Sequence, residues 1–265
     1  MEILGYIASI FIGIALGLIG GGGSILTVPV LVYLFSVDAV AATAYSLFIV
    51  GLTSAVGSVS YFKSGFVNIK TAIIFGIPSI IAVFITRAYL VPTIPKEVFS
   101  IDSFVVTKSI LMMLLFAILM IAASFSMIKK DKKITGENEG KQKFNYPIIF
   151  LEGAVVGILT GLVGAGGGFL IIPALVILSK LPMKEAVGTS LVIIAGKSLI
   201  GFFGEGNETI IDWTLLIKVS AFAIVGIFIG TLLSRKIDGS KLKPAFGWFV
   251  LVMGIYIIIK ETILK

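Results

Sequence analysis

The chain contains no cysteine and no histidine. Without thiols there is no disulfide framework and no thiolate nucleophile. Without imidazole the usual general base and an ordinary zinc site are missing too. Ser-His-Asp and Cys-His hydrolytic arrangements are thereby excluded. Charge is scarce as well: Asp, Glu, Lys and Arg make up 13% of the 265 residues, against roughly a quarter in a soluble domain. No Asp or Glu falls in the middle of an apolar segment, so an acidic proton relay has no candidate. The chain is therefore read as a non-enzyme that needs no cofactor and no metal.

What is present is apolar. The set AVILMFWYC supplies 58% of the residues and the mean hydropathy is +1.13. Even a 300-residue soluble domain buries only about three-quarters of its surface, so this much apolar area requires lipid as solvent. That excludes a nucleic-acid-binding module and predicts an all-α polytopic membrane protein. The net charge of +7 fits basic loops on one side of a membrane better than an anionic macromolecular partner. The N-terminal apolar stretch lacks a basic leader region, since only Glu2 precedes it, and is expected to be retained structure.

A bilayer core of about 30 Å needs about 20 apolar residues per helix. Apolar segments run over 3–35, 39–62, 69–91, 104–128, 147–179, 186–204, 213–234 and 245–259. The stretch Lys129 to Asn145 holds six Lys and three acids and reads as a flexible linker. It divides the chain into a first transmembrane repeat, 1–128, a basic linker, 129–146, and a second repeat, 147–265. The division reflects an internal duplication. Residues 17–29 read GLIGGGGSILTVP and residues 161–173 read GLVGAGGGFLIIP, with an offset of 144 that holds without a gap to Gly57/Gly201. Over those 41 pairs 16 are identical, among them Pro29/Pro173, Ala42/Ala186, Ser46/Ser190, Leu47/Leu191 and Ser54/Ser198.

Segments 3–35 and 147–179 are too long for one crossing, roughly 50 Å if helical, and each is interrupted by glycines. Each is expected to enter, turn and leave on its own side. With the linker in the cytoplasm, eight simple crossings leave Lys and Arg evenly divided, whereas two hairpins place most of them on the linker side. Each half then makes three further crossings, and the halves are inverted. Discontinuous inverted repeats with a ligand site at their interface are a transporter architecture.

The glycine clusters Gly20, Gly21, Gly22, Gly23 with Ser24, and Gly164, Ala165, Gly166, Gly167 with Gly168, each precede a helix start. Such a turn offers unpaired N–H groups and the positive end of a helix dipole to an anion; the competing role is close helix packing, which suits Gly13 and Gly17 or Gly153, Gly157 and Gly161. Ser46, Thr189 and Ser190 either line a cavity or bond to their own helix carbonyls. Thr53 and Ser54, which pair by offset with Lys197 and Ser198, carry the same two readings. Lys197 lies about eight residues from either end of its apolar run. A lysine that deep faces a cavity or a counter-charge: a substrate anion, or a distant acid such as Glu152, unless it snorkels. Arg87, near the end of its segment, is read as an interface anchor.

Two copies of GLxGxGGG followed by an apolar run and Pro, each trailed by Ser-Leu at 46–47 and 190–191, resemble the sulfite exporter TauE/SafE family. The resemblance covers essentially the whole chain. It implies a prokaryotic inner-membrane, multi-pass transporter of sulfite, sulfoacetate or other small sulfur-containing anions, working by alternating access. The family's motif commonly reads TSL…NS…GF, whereas this chain has TSLVIIAGKSLIGF, so Lys197 favours a strongly anionic substrate. A small carboxylate or an inorganic anion is the alternative cargo, and an assembly subunit without transport is the alternative class. The expected partners are a small anion and the lipid bilayer. A homodimer stays open, as do the direction of transport and the coupling ion.

Overall fold

In the computed structural model the described residues are 2–21, 23–101, 104–128, 146–177, 181–205, 211–234 and 239–262. The linker over 129–145 and Gly22 lie outside them. Six of the described helices are long and apolar enough to cross a bilayer, and the chain is an all-α polytopic membrane protein.

Each long N-terminal segment of a repeat is broken at its glycines. The first gives α1, Glu2–Ile19, and α2, Ser24–Tyr33; the second gives α7, Tyr146–Val163, and α8, Gly168–Ile177. Between the two pairs come α3, Ala39–Lys63, and α4, Ile69–Ile85. A π-helical turn over Thr86–Leu90 carries α4 into the single turn α5, Val91–Thr93. A short antiparallel hairpin follows, β1 Glu97–Ile101 with β2 Phe104–Thr107, and then α6, Lys108–Ile128. The second half closes with α9, Met183–Phe203, α10, Trp213–Ser234, and α11, Gly239–Thr262. The hairpin shortens the apolar segment 104–128 by a turn. Its Val98, Phe99, Val105, Val106 and Thr107 are β-branched or aromatic residues suited to paired strands.

The duplication is reproduced in backbone detail. The starts of α1, α2, α3 and α4 precede those of α7, α8, α9 and α10 by 144 residues each. Leu31 O accepts from Val37 N at 3.0 Å as Leu175 O accepts from Leu181 N at 3.1 Å. Likewise Gly20 N donates to Leu16 O and Gly164 N to Thr160 O, both at 2.8 Å.

The first break is a true return. A Cβ on Gly23 at the top of α2 would strike Leu16, whereas Phe35 beyond its far end packs on Gly5 and stacks edge-on with Tyr6 at 5.3 Å. Thus α2 runs back along α1.

Helix pairing follows the same exchange. α1 packs parallel to α10, with Gly13 and Gly17 against Ala223, Ile227 and Gly230, while α7 packs parallel to α4, with Gly153 and Gly157 against Phe75 and Ser79. These are the outer glycines, and close backbone approach is what they provide. The equivalent helices α3 and α9 run antiparallel: Leu47 meets Gly201, Gly51 meets Leu199 and Gly57 meets Leu191. α6 and α11 also run antiparallel, with Met127 at Gly247 and Ala117 at Gly254.

These contacts sort the connections onto two faces. One face carries the end of α6, the start of α7, the α3–α4 loop and the end of α10. The other carries the α2–α3 turn, the β-hairpin, the α9–α10 connection and the end of α11, where Lys260 lies over the Tyr33 ring. Around the bundle, apolar side chains at helical spacing point outward. Ile73, Ile77 and Ile81 of α4 are about half exposed, which is the surface that lipid covers in an apolar solvent.

Candidate functional site

The two glycine turns touch. A Cβ on Gly21 would collide with the backbone of Gly168, so only glycine lets the hairpin tips approach this closely. Gly20, at φ 81°, and Gly164, at φ 73°, make the turns themselves, a conformation that other L-residues adopt at a cost. The tips then differ. Gly167 is left-handed at φ 68°, whereas its counterpart Gly23 is right-handed at φ −63°.

Lys197 lies against the second turn. It is fully buried, and its Nζ donates to Thr160 Oγ1 at 2.9 Å. A Cβ on Gly167 would lie 2.5 Å from that same Nζ. Among the described residues no carboxylate pairs with Lys197. Glu152 therefore does not serve as its counter-charge, and complete burial rules out snorkelling. The N–H groups of Gly166, Gly167, Gly168 and Phe169 have no acceptor among the described residues. A buried ammonium thus sits beside unpaired N–H donors at the start of the ten-residue helix α8. That juxtaposition is repulsive alone and becomes favourable around an anion.

The buried hydroxyl groups of α3 and α9 differ in how they are partnered. Ser46, Thr53, Ser54 and Ser198 are fully buried and have no hydrogen-bond partner among the described residues. Each such group costs about 1–3 kcal/mol, and native structures pair nearly all of them. Ser198 Oγ would lie 3.4 Å from a Cβ on Gly166. The antiparallel register of α3 and α9 sets Thr53 level with Lys197. Other candidates are employed locally: Ser24 donates to Gly21 O at 2.7 Å and Ser190 to Val187 O at 2.8 Å. Ser190 still borders the first turn, since a Cβ on Gly20 would be 3.0 Å from its Oγ. Thr189 turns away from the site and accepts from Asn68 N at 2.9 Å, holding the α3–α4 loop.

The family model described as Sulfite exporter TauE/SafE matches residues 5–257. The chain belongs to the TauE/SafE family. It is a membrane transporter of that family. A "Probable membrane transporter protein" of Xylella fastidiosa (strain 9a5c) is 29% identical over 253 residues, covering 93% of this chain and 91% of that protein. The "Probable membrane transporter protein YunE" of Bacillus subtilis (strain 168) is 28% identical over 272 residues, covering 97% and 96%. The "Probable membrane transporter protein MJ0441" of Methanocaldococcus jannaschii is 36% identical over 116 residues, covering 42% and 43%. No solved structure gives a significant match.

Two features of this TauE/SafE transporter escape sequence reading. Arg87 is not an interface anchor. It is fully buried, and its Nη1 donates to Glu205 Oε2 at 2.8 Å across 118 positions. Nearness to a segment end could not reveal this, because a partner on another helix draws the side chain inward. Thr160, the hydrogen-bond partner of Lys197, was hidden for the same reason; its only signal was a hydroxyl standing opposite Leu16 in the repeat. Away from both, a cleft of about 670 Å³ opens between α1, α2 and α11, lined by apolar residues such as Phe11, Pro29, Leu34 and Met253. Its apolar lining suits acyl chains.

Proposed function

We propose that this chain carries a small sulfur-containing oxyanion, sulfite or an organosulfonate, across the inner membrane by alternating access. The observation that carries the reading is Lys197: a buried amine with no carboxylate partner among the described residues, packed against Gly167 and the N–H groups that open α8, which find no acceptor among those residues. An oxyanion placed there takes charge from Lys197 and hydrogen bonds from the backbone, and the hydroxyl of Ser198 is at hand beside Gly166. Glycines permit the backbone to come that close.

The antiparallel course of α3 against α9 and of α6 against α11 supports inverted halves, and the basic loops favour a cytoplasmic side for the linker 129–146. Fully buried Ser46, Ser54, Lys197 and Ser198 fit a closed step of such a cycle. The family name supports the choice of sulfur anions over carboxylates.

Counterflow tests the reading. Separate batches of proteoliposomes are each preloaded with one of sulfite, sulfoacetate, thiosulfate, sulfate, acetate and chloride and offered the same anion in labelled form. Exchange of sulfite or sulfoacetate in preference to acetate and chloride is expected. Exchange of acetate or chloride with none of the sulfur anions would assign another cargo, and no exchange of any anion would leave an assembly role.

A further inference from the structure

Among the described residues Arg87 is the second buried cation, and its pairing is incomplete in a specific way. Only Nη1 is engaged, by Glu205, while Nε and Nη2 have no partner among the described residues. Those two N–H groups form one edge of the guanidinium and point in parallel, the arrangement that grips a carboxylate, sulfonate or sulfite with two hydrogen bonds. The side chain is 0% exposed and Glu205 8% exposed, so bulk water does not satisfy that edge.

The local backbone is shaped around this position. α4 widens into the π-helical turn Thr86–Leu90 at the arginine, a swelling frequent at functional sites. Opposite it stands Gly204, where a Cβ would lie 3.2 Å from Arg87 Cβ. Glu205 follows the end of α9 on the face away from the linker. Lys197 lies six residues before the end of that helix, roughly 9 Å along its axis. The offset of 144 makes Thr231 the counterpart of Arg87, so the linker face has no matching cation from the repeat.

We propose that Arg87 is a second oxyanion subsite, on the face away from the linker, whose Nε–Nη2 edge holds the substrate on its way to or from Lys197. Glu205 holds the guanidinium in place and competes with the anion for its charge. The inference rests on the anion-transport reading given above.

Sulfite binding to the purified full-length protein tests it, using the wild type, Lys197→Met, Arg87→Lys and Glu205→Gln. The wild type is expected to bind two sulfites per chain and Lys197→Met one. Arg87→Lys keeps the charge but loses the two-pronged edge, and weakens the second site about tenfold while sparing the first. Glu205→Gln removes the competing charge and tightens the second site severalfold. A single sulfite per wild-type chain, abolished by Lys197→Met, overturns the inference and leaves the transport reading intact. Should Arg87→Lys fail to fold, unchanged second-site affinity in Glu205→Gln overturns it equally. A single sulfite per wild-type chain that survives Lys197→Met but weakens in Arg87→Lys removes Lys197 and keeps Arg87; no sulfite binding to the wild type overturns both.

Discussion

Lys197 Nζ donates to Thr160 Oγ1 across 2.9 Å, tying the middle of α9 to the last turn of α7 beside a glycine turn. The repeat counterparts of these two residues are Thr53 and Leu16. One half therefore holds a cation and a hydroxyl where the other holds a hydroxyl and a leucine. The helix starts keep the offset of 144, and the side-chain chemistry does not. A single anion bound near the crossing would lie closer to the second half, which is where Gly167 adopts the left-handed conformation that Gly23 lacks.

Lys197→Met should separate function from stability. A buried ammonium with one neutral hydrogen-bond partner is costly to desolvate, and Met fills similar space without charge. Sulfite affinity is expected to fall about tenfold or more, while the anion-free variant melts at a higher temperature than the wild type. Binding isotherms and thermal unfolding in detergent check both parts. Unchanged sulfite affinity would take Lys197 out of the site.

Thr160→Val deletes the hydrogen-bond partner of that ammonium while keeping the shape of the side chain. The stranded buried donor should cost about 1–3 kcal/mol, read as a lowered unfolding temperature. Thr160→Ser should restore most of it. Equal melting of the wild type and Thr160→Val would mean that Lys197 finds another acceptor.

Two glycines with similar backbone angles should respond differently to alanine. Gly65 has φ 74° and nothing within 4 Å of the place a Cβ would take, so Gly65→Ala bears only the left-handed strain of about 1–2 kcal/mol. Gly167 has φ 68°, and its Cβ would overlap Thr160 and press on Lys197. Gly167→Ala should therefore lose anion binding as well as stability, and Gly65→Ala should keep binding. Sulfite binding measured on both variants decides it, and retained affinity in Gly167→Ala would place the anion elsewhere.

Much of this was legible because duplication and hydropathy are linear signals. The offset read over Gly17–Gly57 extends in the structure to the starts of four helix pairs, and the glycine clusters mark both breaks. Contacts between distant helices were not legible. Arg87 meets Glu205, Lys197 meets Thr160 and Thr189 meets Asn68, all over separations of 37 to 121 positions. A side chain's depth along its own helix says nothing about which neighbour draws it in. Composition also concealed the β-hairpin over 97–107, whose second strand, Phe104–Thr107, read as the start of the apolar segment 104–128.

Since the chain contains no cysteine, any introduced thiol is a unique reporter of sidedness. Ser64 lies in the exposed α3–α4 loop on the linker face, and Lys96 lies exposed before the β-hairpin on the other face. With each glycine-broken segment returning to its own side, Ser64→Cys and Lys96→Cys fall on opposite sides of the membrane. A linker thiol such as Lys133→Cys belongs with Ser64. In intact cells a membrane-impermeant maleimide should label Lys96→Cys and spare the other two, which react only after the membrane is opened. The result bears on orientation as well as topology, because the basic loops predict the linker side to be cytoplasmic. Labelling of Ser64→Cys and Lys133→Cys from outside, with Lys96→Cys spared, would keep the hairpins and reverse the orientation. Labelling of Ser64→Cys and Lys133→Cys from different sides would break the inverted arrangement itself, because the end of α6 and the start of α7, which flank the linker, lie on the face that carries Ser64.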